Sequence, residues 1–142
     1  PMVAEAGLTN LICFAGRRNG VTDLRRLGKL RERLKRLMPI AEKYNVVLTM
    51  ELLNSIGHKD YLCDHTVWGA ELCRRIGSPN FKLLYDIYHM QIMEGNVIEH
   101  IRKYHPVFLS YPYRRCSRPC GDRRNAGTLL SGYHESDCGN RL

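Results

Sequence analysis

The sequence predicts an α/β fold built from parallel βαβ units and followed by an irregular C-terminal tail. Three observations carry this. Short apolar runs recur at 8–14, 46–54 and 81–86; stretches of helical period separate and follow them; and both periods vanish after Pro106. The chain has 142 residues, 44% of them hydrophobic and 25% charged, a composition that can bury a core and suits a globular domain.

The first run, "LTNLICF" at 8–14, reads as a buried strand, and "AGRRNG" after it as a glycine-punctuated loop. From Asp23, a plausible N-cap, Leu24, Leu27, Leu30, Leu34 and Leu37 recur at helical steps. Pro39 is expected to bend or divide that helix before "IAEKY". "VVLTMELLN", at 46–54, is β-branched and apolar enough for a strand buried on both faces. A polar loop, "SIGHKDYLCDH", leads into the helix "TVWGAELCRRIG", which has its stop signal at Gly77 with Ser78 and Pro79 beyond. "FKLLYD" is a third short strand, and "IYHMQIMEGNVIEHIRKYHP" reads as mostly helical.

The net charge of +8 is confined to two patches. Residues 24–36 hold seven basic residues against Glu32, and residues 107–142 hold six arginines against Asp122, Glu135 and Asp137. The first patch falls mostly off the leucine stripe, as a solvated helix face does. Cys13, Cys63 and Cys73 have apolar or mixed neighbours and read as free buried thiols. In the tail, Cys116 and Cys120 have a permissible zinc spacing, with His134 and Cys138 as a second pair on paper. A basic nucleic-acid-binding or zinc-binding module is therefore one alternative reading, ranked low because the tail lacks a stacking or groove-reading motif. No apolar stretch approaches the ~20 residues of a membrane span, and "PMVAEAGLTN" lacks the build of a signal peptide. A cytoplasmic location without membrane partners is the resulting expectation.

Glu51 and Asp86 stand out as acids at the carboxyl ends of two apolar strands, where parallel α/β folds converge on their ligands. An acid in such a strand is costly unless paired or bound to a metal. For Asp86 the functional and helix-capping readings lie closer together than for Glu51, since an Asp just past a strand often caps the next helix. His89, three residues on, and Asn54 and His58, in the loop after Glu51, are candidates for the same crevice. Trp68 and Tyr85 read as packing residues.

"MELLNS", "HKDYLCDHT", "WGAELCRRIGSPNFKLLYDIYHMQIMEG" and "VIEHIRKYHP" resemble the hydroxypyruvate isomerase family of xylose-isomerase-like TIM-barrel sugar isomerases and epimerases. The resemblance is continuous from about Val46 to Pro106 and returns over "GLTNLICFAG" and "LKRLMPIAEK". It implies a partial (β/α)8 TIM barrel of about three βα units in residues 1–106, with residues 107–142 outside the pattern. It also implies a divalent cation (Mg, Mn or similar) held by a Glu, an Asp, a His or Gln and a second Glu, with proton transfer between adjacent carbons through an enediolate. On that pattern Glu51 is the catalytic acid/base and a metal ligand, and Asp86 is a metal ligand. His89 contacts the substrate, a small hydroxy-carbonyl compound, with Asn54 and His58 nearby. The implied reaction is hydroxypyruvate to tartronate semialdehyde; a sugar epimerase of the same barrel group is the alternative.

The third ligand is expected on the next strand in a pattern like H-x-H-T-A-G-x-P-G-R, where this chain instead reads "VFLSYPYRRCSRPCGDRR". Back-translated with permitted codons and read one base later, the tail from Val107 spells YFSHIHTAGVPGR. The expectation is a frame shift near Pro106, with cation binding and activity impaired in the chain as written and with self-association through open barrel edges.

Overall fold

The computed structural model describes residues 1–109. The expectations for the frame-shifted tail and for Cys116, Cys120, His134 and Cys138 fall outside the described residues. Helix α1 (Met2–Glu5) precedes strand β1 (Asn10–Cys13), helix α2 (Asp23–Lys43), strand β2 (Val47–Glu51), helix α3 (Thr66–Ile76) and strand β3 (Phe81–Leu84). Helices α4 (Ile87–Met93) and α5 (Val97–Tyr104) and a 3-10 turn over His105–Val107 follow. The strands form one parallel sheet in the order β1-β2-β3. Three βα units are thus present, as the alternation of apolar runs and helical periods requires.

The register divides the sheet into two faces. Leu48 pairs with Phe81 and Met50 with Leu83, so these four side chains share one face. That face carries the core, joined by Leu27, Leu34, Met38 and Ala41 of α2 and by Leu72, Cys73 and Ile76 of α3. Thr49 and Glu51 point to the opposite face. Burial of Cys73 pushes its thiol up to about 12 and that of Cys13 to about 11, so both stay protonated at neutral pH. Among the described residues the cysteines are free, as their surroundings suggest.

Three local features depart from expectation. β1 is not buried: Leu11 is 44% and Ile12 48% exposed. Its strand lies at the sheet edge, and Ile12 shares the Thr49 face rather than the helix-covered one. Pro39 does not divide α2, which runs unbroken through it. The proline forfeits one backbone bond, while Leu34, Met38 and Ala41, buried on both sides of it, keep the two halves on the same core. Asp23 is the first residue of α2, and Thr22 occupies the cap position. Gly77 closes α3 as its spacing suggests, with φ of 72° and its N–H bonded to the Cys73 carbonyl at 2.9 Å. Gly95 and Asn96, both at positive φ, separate α4 from α5.

Helix α3 reaches the sheet through Gly69. A Cβ there would lie 2.8 Å from Leu83 Cδ1 and 3.3 Å from Cys63 Sγ, both buried. Substituting Gly69→Val is therefore expected to lower unfolding stability by about 1–3 kcal/mol through overpacking, read as a lower denaturant midpoint at unchanged slope. An unchanged midpoint would mean that α3 does not sit this close to β3.

Candidate metal centre

β2 ends at Glu51, whose ladder partner is Leu84, the last residue of β3. Two residues further, Asp86 leaves the sheet and starts α4, and His89 lies on the first turn of that helix. The parallel register thus delivers an acid from one strand and an acid and an imidazole from the next to the same edge. One ligand atom from each of Glu51, Asp86 and His89 lies within 4.8 Å of the others. The ion pairs among the described residues fall on Asp23, Asp64, Glu71, Glu94 and Glu99, so none of the described cations pairs with Glu51 or Asp86. Two carboxylates this close, without a protein cation, form a donor set suited to a hard divalent ion. Both readings of Asp86 hold at once, since a carboxylate has two oxygens: Oδ1 caps α4 by accepting from His89 N at 3.3 Å, and the side chain also belongs to the cluster.

Asn54 determines what His89 can do. Its Oδ1 accepts from Gly57 N–H at 2.6 Å, so its amide nitrogen is the end that faces His89 Nδ1, also at 2.6 Å. An amide nitrogen only donates, so Nδ1 accepts and the proton of the neutral ring sits on Nε2. Neither ring nitrogen then offers a free lone pair, and His89 acts as a donor to an oxygen. His58, exposed, meets His89 edge-on with ring centroids 5.4 Å apart. All five residues singled out in the sequence therefore meet in one neighbourhood, with Asn54 buried behind the others.

Other contributors carried no signal in the sequence. Tyr61 donates to the Glu51 carbonyl at 2.8 Å and accepts from Ala15 N–H at 3.0 Å, so its hydroxyl ties the ends of β1 and β2 together. Burial holds that phenol well above its ordinary value. Arg18 anchors the loop after β1 by donating to the Tyr61 carbonyl and to Asp64 Oδ1 at 2.7 Å. Burial alone would raise Asp64, but hydrogen bonds from Arg18 and His65 outweigh it and hold the carboxyl below the usual range. Glu94, its side chain 6% exposed, accepts from Thr66 N at 2.7 Å and from Thr66 Oγ1 at 2.6 Å, capping α3 from another element. Past β3, Phe108 bridges Leu83 in parallel and Leu109 N–H reaches the Leu83 carbonyl at 2.8 Å. A fourth parallel segment thus begins where the resemblance expects its third ligand strand.

A parallel sheet with helices on one face and a convergent acid pair at the strand ends defines a β/α-barrel type of chain. Comparison with known proteins agrees: the family described as xylose isomerase-like TIM barrel matches residues 2–111, and the chain belongs to that family. A mouse protein named "Putative hydroxypyruvate isomerase" is 34% identical over 77 residues, 54% of this chain and 28% of its own length. D-psicose 3-epimerase of Enterocloster bolteae is 36% identical over 70 residues, 49% of this chain and 23% of its own. Among solved structures, an AP endonuclease of family 2 from Brucella melitensis superposes with a TM-score of 0.72 at 22% identity, covering 94% of this chain and 51% of that one. The matched part thus spans roughly a quarter of these curated relatives and half of that structure. The fold is a partial barrel. Among the described residues, no helix is long and apolar enough to cross a membrane.

The tautomer of His89 is open to direct measurement. Long-range 15N–1H spectra at pH 8, above the ordinary histidine range, are expected to show the imidazole proton on Nε2. Asn54→Asp keeps an acceptor for Gly57 N–H but turns an oxygen toward the ring, and is expected to move the proton to Nδ1. A wild-type ring protonated on Nδ1 contradicts the arrangement.

Proposed function

We propose that this chain carries part of a hydroxypyruvate isomerase-type site, which in a whole barrel converts hydroxypyruvate to tartronate semialdehyde by moving a proton between adjacent carbons, with full turnover impaired in the chain as written. The convergence of Glu51, Asp86 and His89, with no cation among the described residues paired to the acids, is the observation that carries this reading. Relatives named isomerases or epimerases support the same class of reaction. A divalent cation such as Mg2+ or Mn2+, held by Glu51 and Asp86, would supply a Lewis acid that polarises the carbonyl and hydroxyl oxygens of the substrate.

The chain's own residues divide the remaining work. A Glu51 oxygen accepts the proton from C3 of hydroxypyruvate, giving an enediolate; the hydroxyl proton passes from O3 to O2, and the carbon-bound proton returned at C2 leaves the aldehyde at C3. Glu51 is suited to this because Tyr61 and the ladder to Leu84 hold its backbone in place. Asp86 stays anchored to the first turn of α4. His89, its proton kept on Nε2 by Asn54, donates to a substrate oxygen and stabilises the charge that develops there. His58 closes one side of His89. The likeness to D-psicose 3-epimerase favours a second reading, the same Glu51 and Asp86 chemistry on a ketose.

Two measurements on the 142-residue chain test the proposal. Mn2+ titration by calorimetry is expected to show binding that Glu51→Gln weakens at least about tenfold, near 1.4 kcal/mol. In D2O with Mn2+, the chain is expected to accelerate exchange of the C3 protons of hydroxypyruvate above the rate with Mn2+ alone, and Glu51→Gln to abolish the acceleration. Exchange into D-fructose instead would select the epimerase reading, and undiminished exchange by Glu51→Gln would remove Glu51 as the base.

A further inference from the structure

Beside the acid cluster lies an open cleft of about 640 Å3, walled by Phe14 and Leu53 and bordered by Arg17, His58, Lys59 and Tyr61. It adjoins the proposed site on two counts. His58 packs edge-on against His89, and the Tyr61 hydroxyl reaches the Glu51 carbonyl. Among the described residues the charge of its border is one-sided, with an arginine, a lysine and a histidine and no acid.

Neither cation is committed elsewhere among the described residues, where the ion-paired cations are Arg18, His65, Arg74, Arg75, His100 and Arg102. The contrast with Arg18 is instructive: that neighbour is turned inward onto Asp64, Asp23 and the Tyr61 carbonyl. Arg17 forms a main-chain bridge with Tyr61 and is exposed. Asp60, the acid next to Lys59 in sequence, is occupied by Asn19 N–H at 2.8 Å. Two uncommitted cations on opposite loops, held together by a backbone bridge and facing an apolar-walled cleft, form an anion receptor next to a site that needs a carbonyl and a hydroxyl.

We propose that Arg17 and Lys59 are specificity residues that hold the carboxylate of a small hydroxy-oxo acid, with its reacting carbons toward Glu51 and His89. This rests on the reading of the site as a hydroxy-carbonyl isomerase centre and selects acids over neutral sugars as its substrates. A carboxylate is the end of hydroxypyruvate that a ketose lacks, so discrimination between the two readings of the site falls to this cleft.

The test uses the whole chain without added metal, so that a carboxylate cannot report cation binding instead. Glycerate and neutral glycerol are titrated by calorimetry into the wild type and into Arg17→Ala/Lys59→Ala, both positions exposed. Lys35→Ala/Arg36→Ala on α2 removes the same formal charge at exposed sites away from the cleft. The expected result is glycerate binding well above glycerol in the wild type, weakened at least about tenfold in the cleft variant as lost charged hydrogen bonds imply, and changed less than about twofold in the α2 variant. Equal weakening in both variants, an unchanged cleft variant, or no preference for glycerate in the wild type, including no binding of either, overturns the proposal. Mn2+ affinity separates the two failures. If Glu51→Gln loses Mn2+ while the cleft variant keeps glycerate, the cleft assignment falls and the metal-centre reading stands. If Glu51→Gln keeps Mn2+, that reading falls whatever the cleft binds.

Discussion

The parallel register of β2 against β3 is the constraint on which everything else depends. Because Glu51 pairs with Leu84, the chain that emerges from β3 two residues later is Asp86, at the same end of the sheet as Glu51. A shift by one residue would turn Glu51 toward the face that buries Leu48, Met50, Phe81 and Leu83, where an unpaired carboxylate is intolerable. The apolar core and the acid cluster therefore enforce the same alignment. Hydrophobic burial on one face positions the chemistry at the strand ends.

The loops then refine what the sheet provides. Tyr61 spans the ends of β1 and β2, and Arg18 pins the β1 loop to Asp64 and to the Tyr61 carbonyl. Asn54 reaches from the β2 loop to α4 and sets the protonated nitrogen of His89. All of these contacts except the Arg18–Asp64 pair involve a backbone group or a buried amide, which fixes direction as well as distance. On the proposed reading the roles separate: two carboxylates for a cation, an imidazole as donor, and Arg17 and Lys59 on the outer loops bordering the cleft.

Much of this was legible in the residues themselves. The apolar runs ending in Glu51 and Asp86 announced strands with acids at their carboxyl ends, and Gly77 announced the end of α3. Less legible were features set by tertiary neighbours. Ile12 looked like core, but on the edge strand it stays 48% exposed among the described residues. Pro39 looked like a break, yet burial of Met38 and Ala41 carries the helix through it. The Asn54–His89 bond spans 35 residues and the Thr66–Glu94 cap 28. No local period or motif encodes such pairings, because they arise only when the sheet brings separate loops to one edge.

The central claim is that Glu51 and Asp86 form one cation site at the carboxyl ends of β2 and β3, with His89 beside it as a donor. Paramagnetic broadening of the 15N–1H spectrum of the 142-residue chain by substoichiometric Mn2+ tests it most directly. The account predicts early, selective loss of signals around Glu51, Asn54, Asp86 and His89, with the α2 helix unaffected. Broadening centred on the cysteines at 116 and 120, or spread evenly over the acidic surface, would contradict it.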